Sequence, residues 1–344
     1  FCRDKCSTQV ARATEKGDGT VARNVWTQLA ELGWLGLLRE GEEKAVALPG
    51  LCIIAEELGR AAYPLPFAET AAIVVPLLSR YSTETQREKF LEPIIEGRLR
   101  AALAIPTGGL PEGARREVYS KDADAPEPRG EMMANFLTES DVLVVPTRFN
   151  GEVRLDMYLR PPGGWRNEAM PDMANSSWSR IADSDLGTDR RITIGKGNVP
   201  AQSVTDAYRN YRLVTAAGVI GLAAQALDLS INYAKERMAF GRPIGSFQAV
   251  QQRVADAAMS LAAARLLCLE ASIDVNPGNV AIACLQAAAA GKTATFTAQQ
   301  IWGGMGYTLE VDVQLYFRRA RAAQLQLGHS WNLLDEVWEA VVPH

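Results

Sequence analysis

One stretch near the start of the C-terminal third carries residue types that bind anions. Arg237, Gly241, Pro243, Gly245 and Gln248 follow one another between two apolar helical patterns. The proline and the glycines favour a tight turn between helices. A guanidinium and a carboxamide beside a helix start can hold a pyrophosphate. An ordinary helical hairpin with a surface arginine is the alternative interpretation.

A second stretch, about fifty residues later, is rich in glycine. It runs Gln300-Ile301-Trp302-Gly303-Gly304-Met305-Gly306-Tyr307. Glycines let the backbone approach a ligand closely and leave amides free for phosphate oxygens. The alternative is a helix C-cap followed by a turn.

Histidine and cysteine usage disfavours several enzyme classes. The chain has two histidines, His329 and His344, so one imidazole would have to serve every role in a zinc hydrolase or a Ser-His-Asp site. The five cysteines show no paired metal spacing. Cys2 and Cys6 could pair or bind a metal, but two free thiols in a reducing cytoplasm are the preferred interpretation. We predict no metal site.

Composition favours an ordinary soluble protein. The 344 residues are 47% hydrophobic and 22% charged, with a formal net charge of -4. A chain of this length suits two or three domains of ~100–200 residues. The acidic balance disfavours nucleic-acid binding, which depends on neutralising phosphates. No apolar run reaches the ~18 residues that span a bilayer and the N-terminus lacks a signal-peptide core, so we predict a cytoplasmic protein.

The pattern changes twice along the chain and predicts three domains. Residues 1–98 form an N-terminal helical domain, residues 99–201 a middle β domain, and residues 202–344 a C-terminal helical bundle. In the first domain the predicted helices begin after Asp18 and end at Gly33, then cover Leu51–Arg60 and Thr83–Glu96. The middle domain has short apolar runs at Ala101–Ile105, Val142–Val145 and Arg191–Ile194, and a long surface loop at Pro111–Glu131.

The C-terminal part shows the clearest periodicity. Apolar residues alternate spacings of four and three from Leu213 to Ala234 and again from Phe247 to Cys268. Such seams are typical of a four-helix bundle, with further helices near Val280–Ile301 and Val313–Ala323. The βα alternation and early glycine fingerprint of Rossmann proteins do not occur, which disfavours a nicotinamide dehydrogenase.

The two glycine-bearing stretches together resemble the C-terminal domain of the acyl-CoA dehydrogenase family of flavoproteins. The resemblance rests on two motifs, Arg-x-x-Phe-Gly-Arg-Pro-Ile-x-x-Phe-Gln and Gln-Ile-x-Gly-Gly-x-Gly-Tyr. Three further stretches, Leu29–Leu38, Glu56–Arg60 and Thr85–Leu91, resemble the family's N-terminal helical domain. The resemblance implies a mainly α fold with a central β domain: helical N-terminal domain, small β-barrel, and C-terminal four-helix bundle.

The resemblance also implies a cofactor and an assembly. In the family, FAD is bound; Arg237 and Gln248 would contact its pyrophosphate and adenosine portion, and Phe240 would pack beside it. From a neighbouring subunit, Gln300, Gly303 and Gly304 would meet the same cofactor, which implies an obligate dimer, usually a dimer of dimers. The flavin takes a hydride from the β-carbon of an acyl thioester while a carboxylate removes the α-proton.

The sequence departs from the family pattern in its middle domain. The family's Thr-Glu-Pro-Gly-x-Gly-Ser-Asp stretch should follow Ala101–Ile105, where this chain has Pro106–Gly113. The flavin-stacking Trp-x-Thr or Trp-x-Ser segment is replaced by Asn135–Thr138. Retention of the flavin is therefore an open question at this stage.

The catalytic base is the second departure. Leu327 occupies the position of the usual glutamate, and a leucine cannot take a proton. His329 stands where a branch of the family has an aspartate, and with an ordinary pKa of ~6.5 an imidazole can accept one. A loop histidine without a catalytic role is the alternative. Glu310 and Asp312 are nearby carboxylates, in positions typical of capping or salt-bridging residues.

Three functions are compatible with these residues. The first is FAD-dependent α,β-oxidation of an acyl thioester on CoA or a carrier protein. The second keeps the fold for a redox-neutral cyclisation or rearrangement in secondary metabolism, on a polyketide-like small molecule with a degenerate flavin site. The third is a non-catalytic partner subunit of a heteromeric acyl-CoA dehydrogenase.

Overall fold

The computed structural model describes residues 1–41, 44–106, 131–149, 152–174 and 177–342. These residues divide into two compact units. Unit 1 combines Phe1–Ala22, Leu48–Pro64 and Arg212–His344, and unit 2 combines Arg23–Ala47 and Leu65–Tyr211. The predicted Pro106–Gly113 departure and the predicted Pro111–Glu131 loop fall almost wholly outside the described residues, as does His344.

Helices precede the strands in the sequence. They are α1 Cys2–Lys5, α2 Thr8–Glu15, α3 Thr20–Glu31, α4 Lys44–Arg60, α5 Phe67–Glu69, α6 Val75–Tyr81, α7 Glu84–Gln86 and α8 Glu92–Ile95. Two π-helical turns, Thr70–Val74 and Arg87–Leu91, join α5 to α6 and α7 to α8. Thr83 caps α7 with a capping box, because its side chain accepts from the Gln86 amide and the Gln86 side chain accepts from the Thr83 amide.

Unit 2 contains a seven-stranded sheet. Its strands are β1 Ala101–Pro106, β2 Glu131–Ala134, β3 Val142–Phe149, β4 Glu152–Leu159, β5 Glu168–Ala169, β6 Ser179–Ala182 and β7 Arg191–Thr193, in the order β5-β6-β2-β1-β3-β4-β7. The β1–β3 pair is parallel and the other pairs are antiparallel. Buried residues of neighbouring strands, such as Ala102, Leu143 and Tyr158, belong to a common hydrophobic cluster.

The remaining helices follow the strands. They are the short α9 Asp183–Leu186, then α10 Ala201–Glu236, α11 Gln248–Ile273, α12 Pro277–Trp302, α13 Val313–Gln326 and α14 Ser330–Val341. The alternating seams of α10 and α11 are buried as predicted, for example at Leu213, Leu227, Leu261 and Cys268. Small residues bring helices close: a methyl group on Gly59 of α4 would collide with the Gly218 carbonyl of α10.

The fold class is confirmed as mainly helical with a central sheet and helical segments on either side of it in the sequence. Helix α14 was not predicted, and helix α4 begins earlier than predicted, since the helix continues through Pro49. No pairing within the described residues joins β5 to β7, so closure of a barrel stays a prediction, as do the three domain boundaries.

Helix α10 corrects the expectation about apolar runs. It contains an 18-residue window with a mean hydropathy of 1.6, long and apolar enough to cross a membrane, and 72% of that window is buried inside the protein. A count of uninterrupted apolar residues does not detect this window, because scattered polar residues interrupt the run while the mean hydropathy stays high. Burial in a bundle explains the same composition.

Candidate functional site

The first predicted stretch forms a tight hairpin between α10 and α11. Two short strands, β8 Met238–Ala239 and β9 Arg242–Pro243, pair with each other. The turn between them places Phe240 at φ 54° and Gly241 at φ 80°. A left-handed backbone is uncommon for a bulky side chain, and strained residues of this kind cluster at functional sites.

The aromatic side chains of the hairpin are exposed. Phe240 is 95% exposed, and its ring meets the edge of Phe247 with centroids 6.1 Å apart. The Arg242 guanidinium lies 4.1 Å above the Phe247 ring, which is cation–π geometry. Phe240 therefore presents an apolar face that the fold of its own chain does not cover.

Arg237 and Gln248 flank this hairpin. The amide of Arg237 donates to Tyr233 at 2.8 Å, which completes the last turn of α10, while its side chain is exposed. Gln248 is the exposed first residue of the 26-residue α11, at the positive end of the helix dipole. Within the described part of the chain, Arg237 has no carboxylate partner. The two side chains are available to an anionic ligand.

The glycine-rich stretch begins where α12 ends. Gly303 has φ 58° and opens a 3-10 turn that runs to Tyr307. Gln300, Gly303 and Gly304 are exposed, and a methyl group on either glycine would meet nothing within 4 Å. This backbone is open to an approaching surface.

One aromatic stack brings the two stretches together. The rings of Tyr233, one turn before Arg237, and Trp302, just before Gly303, are stacked with centroids 4.0 Å apart and an interplanar angle of 11°. The contact packs the end of α10 against the end of α12. The structure therefore places the six predicted cofactor residues on two adjoining features of unit 1.

Buried polar atoms without partners lie under the glycine-rich turn. Both amide atoms of Gln299 and the indole nitrogen of Trp302 have no hydrogen-bond partner among the described residues. Gln299 is only 2% exposed. Sequence reasoning had singled out the neighbouring Gln300 and missed Gln299, whose only signal is a polar residue inside an apolar helix pattern.

The loop between α13 and α14 contains the predicted base. Leu327 is fully buried and Gly328 turns the chain with φ 109°. His329 is exposed and caps α14, its Nδ1 accepting from the Trp331 amide at 3.4 Å. Its ring therefore has a structural role, and a catalytic role for His329 stays a prediction.

The two alternative carboxylates lie before α13. Asp312 forms an ion pair with Arg12 at 2.7 Å and accepts a hydrogen bond from Thr8, also at 2.7 Å. Glu310 is exposed. Asp312 therefore ties α13 to α2.

Unit 2 holds the segment that replaces the family's flavin-stacking residues. Asn135 follows β2, and its Oδ1 accepts from the amide of Phe136, which adopts φ 56°. The Asn135 side chain also hydrogen-bonds to Glu69, a buried carboxyl whose pKa is raised to about 7 by desolvation. The sequence analysis did not single out Glu69, although it is the one carboxylate in the apolar run 65–78.

Comparisons with known proteins identify the family of this chain. Models of the acyl-CoA dehydrogenase N-terminal and C-terminal domains match residues 1–98 and 202–341. The chain is 29% identical over 331 residues to the acyl-CoA dehydrogenase IpdE2 of Mycolicibacterium smegmatis, covering 94% of this chain and 89% of that protein. It is 27% identical to the mitochondrial short-chain specific acyl-CoA dehydrogenase of Bos taurus, covering 88% and 79%.

Solved structures show the same fold. A structure of the ChsE4-ChsE5 complex from Mycobacterium tuberculosis superposes with a TM-score of 0.80 at 21% identity, covering 99% of this chain and 94% of the other. The two family models together account for both helical parts of the chain, and the full-length relatives extend across the sheet. The chain belongs to the acyl-CoA dehydrogenase family.

Proposed function

We propose that this chain binds FAD and serves the α,β-oxidation of an acyl thioester carried on CoA or a carrier protein. The observation that carries the proposal is the α10–α11 hairpin, where Arg237 has no carboxylate partner among the described residues and Phe240 is 95% exposed. Both features belong to a chain whose family consists of acyl-CoA dehydrogenases.

The residues fit a dinucleotide. Arg237 can donate a forked pair of hydrogen bonds to phosphate oxygens, and the start of α11 adds its positive dipole end. The apolar face of Phe240, 95% exposed, suits a flat ring system. When bound, FAD supplies the hydride acceptor for the β-carbon of the thioester.

The open glycine turn supports a contribution to a neighbouring subunit. Gln300, Gly303 and Gly304 face away from their own chain, and a methyl group on either glycine meets open space. In this proposal a second copy brings its hairpin to that turn. The assembly is a homodimer or a dimer of dimers.

The reaction needs a base that accepts the α-proton, and the α13–α14 loop contains few candidates for this role. Leu327 is buried and has no titratable group. His329 is the remaining candidate in that loop. Because its Nδ1 accepts the hydrogen bond of the Trp331 amide, the neutral ring carries its hydrogen on Nε2, so Nδ1 is the atom that would accept the α-proton once it releases that amide. We assign the proton transfer to His329 within this proposal.

A second candidate function follows from the same loop. Since Leu327 fills the usual position of the base with a packed side chain, the chain could serve as the flavin-contacting partner of a different subunit that supplies the carboxylate. The superposable ChsE4-ChsE5 structure is a complex of two different proteins. Native purification separates the two candidates: an active homo-oligomer favours the first, and activity that requires a second chain favours the other.

The direct test is FAD binding. Purified protein is mixed with FAD, and retained flavin is measured by visible absorbance after gel filtration. We expect Arg237→Ala to weaken FAD binding by about ten- to a hundredfold, because a hydrogen bond to a charged group contributes ~1.5–3 kcal/mol. Arg253→Ala, an exposed arginine on α11 outside the hairpin, is the matched control and should bind FAD like the parent protein.

Flavin reduction by acyl thioesters then tests the reaction. Acyl-CoA substrates of different chain length are added anaerobically to the FAD-loaded protein, and bleaching of the flavin spectrum is followed. Failure to take up FAD contradicts the proposal outright. Uptake without bleaching by any thioester, alone or with a partner chain, contradicts the redox step.

A further inference from the structure

A separate cavity in unit 1 lies between α4, α10 and α11. It has a volume of about 490 Å³. Its apolar lining comes from Ile53, Ala217, Ile220 and Leu269, and its charged lining from Glu56, Glu57, Arg60, Asp228 and Arg265. Two cysteines, Cys52 and Cys268, complete the wall. We call this the dithiol cavity.

The two thiols are in contact across the helices. Cys52 of α4 and Cys268 of α11 are each 2% exposed, and their side chains hydrogen-bond to each other. The Cys268 sulfur also lies 3.5 Å from the Leu213 carbonyl oxygen. Although both residues are buried from bulk solvent, both line the cavity, so a small solute inside it reaches sulfur without unfolding.

Ion pairs join the helices that form the walls of the cavity. Arg265 of α11 binds Glu56 of α4, with its Nε 2.9 Å from both carboxylate oxygens. Arg60 of α4 binds Asp228 of α10 at 2.8 Å. These bridges keep charged, hydrated groups at the cavity and fix α4 relative to α11 at the level of the thiols.

The environment of Cys268 favours its neutral thiol. The pKa of Cys268 is raised by its hydrogen bond to Cys52, by burial and by the negative charge of Glu56. The Cys268 thiol therefore holds its proton more firmly than an ordinary cysteine thiol does.

We propose that Cys52 and Cys268 form a redox-active dithiol that a small peroxide, entering the cavity, oxidises to a disulfide. The Cys52 sulfur attacks a peroxide oxygen and breaks the O–O bond, and the thiol proton passes to the leaving hydroxide, giving a sulfenic acid and, with hydrogen peroxide, one water. The Cys268 sulfur then attacks the sulfenic sulfur and releases a second water. Two thiols and one hydrogen peroxide thus give one disulfide and two waters.

The other cysteines provide an internal comparison. Cys2 and Cys6 also contact each other, but neither lines the cavity. Cys284 is fully buried and also lies outside the cavity lining. All five cysteines are free thiols in the structure. If access decides reactivity, the cavity pair reacts before the rest.

The experiment is oxidation of the native full-length protein with hydrogen peroxide, followed by alkylation and tryptic mass mapping. Trypsin releases Cys52 on peptide 45–60 and Cys268, with Cys284, on peptide 266–292. We expect a crosslinked pair of these peptides, located at Cys268 by fragmentation and reversed by dithiothreitol. Cys52→Ser should abolish the crosslink.

Entry of the peroxide through the cavity is tested by placing a larger side chain at the cavity opening. Ile53 lines the cavity and is 55% exposed, so Ile53→Trp should fold and slow the crosslinking several-fold. Met259→Trp, at a 64% exposed site on α11 outside the cavity, is the control and should crosslink at the parent rate. Thiols that stay free, or a crosslink confined to Cys2 and Cys6, would overturn the dithiol; an unchanged rate in Ile53→Trp would overturn entry through the cavity.

Discussion

Two loops of unit 1 use their side chains in opposite ways. At the α10–α11 hairpin, Phe240 is 95% exposed and Arg237 is left without a carboxylate among the described residues. At the α13–α14 loop, Leu327 is fully buried and His329 caps a helix. The side chains of the hairpin are available to a ligand, whereas in the loop Leu327 is packed in the core and His329 uses one ring nitrogen to cap α14. The match of these positions to the family's motifs would, by itself, have assigned a function to both loops.

Truncating Leu327 should give the largest effect. Leu327→Ala removes a fully buried side chain, and the lost burial together with the cavity left behind should lower the free energy of unfolding by ~2–5 kcal/mol. Urea denaturation followed by circular dichroism measures this change.

The matched control is a leucine two residues earlier, near the end of α13. Leu325 is 82% exposed, so Leu325→Ala should change the free energy of unfolding by about 0.5 kcal/mol or less. Equal effects of the two substitutions would show that the loop position is not a packed core site. The base position would then be open to a ligand after all.

Glu69 in unit 2 should make stability depend on pH. Its pKa is raised from 4.5 to about 7 because the carboxyl is fully desolvated. Between these values the folded state keeps a proton that the unfolded state has lost. The free energy of unfolding should therefore fall by about 3 kcal/mol as pH rises from 4 to 7, and level off above that.

Urea denaturation at a series of pH values checks this slope. Glu69→Gln removes the ionisation and should flatten the curve over the same range. Glu88→Gln, at an exposed position, is the control and should keep the slope of the parent protein. A parent curve without a fall between pH 4 and 7 would contradict the buried, raised carboxyl.

The elements that sequence predicted well are those in which one pattern dominates. The seams of α10 and α11 specify their buried faces by periodicity alone, and the Thr83 capping box marks the start of α7. The hairpin was predictable because Gly241 and Pro243 punctuate two long apolar patterns.

The rest depends on long-range contacts that no local pattern encodes. The Tyr233–Trp302 stack joins residues far apart in the sequence, and the contact between Cys52 and Cys268 joins α4 to α11. Glu69 is notable only for its apolar neighbours, and its hydrogen bond to Asn135 exists because the fold brings them together. Helix α14 was not predicted, although Trp331, Leu334 and Trp338 follow helical spacing in the sequence.

Substitutions of two glycines in the 300–307 stretch should distinguish a role in cofactor binding from a role in core packing. A methyl group on Gly306 would collide with the buried Gln299 side chain and lie 3.0 Å from the Trp302 Cβ, so Gly306→Ala should cost ~1–3 kcal/mol of stability. Gly304→Ala meets open space and should leave the free energy of unfolding unchanged. If Gly304 faces the cofactor of a neighbouring subunit, Gly304→Ala should instead weaken FAD retention. Equal stability losses in both variants would contradict the open face at Gly304.

The smallest stability effect is expected at His329, where two roles can be separated. His329→Ala removes a long capping hydrogen bond of 3.4 Å and should cost about 0.5 kcal/mol, at the low end for helix caps. His329→Asn keeps a side-chain acceptor that caps a helix start well, while it removes the only titratable group of that loop's tip. Flavin bleaching by an acyl thioester then decides between the roles. If His329 takes the α-proton, both variants lose bleaching although the asparagine variant keeps its stability; if the imidazole only caps α14, the asparagine variant bleaches like the parent protein.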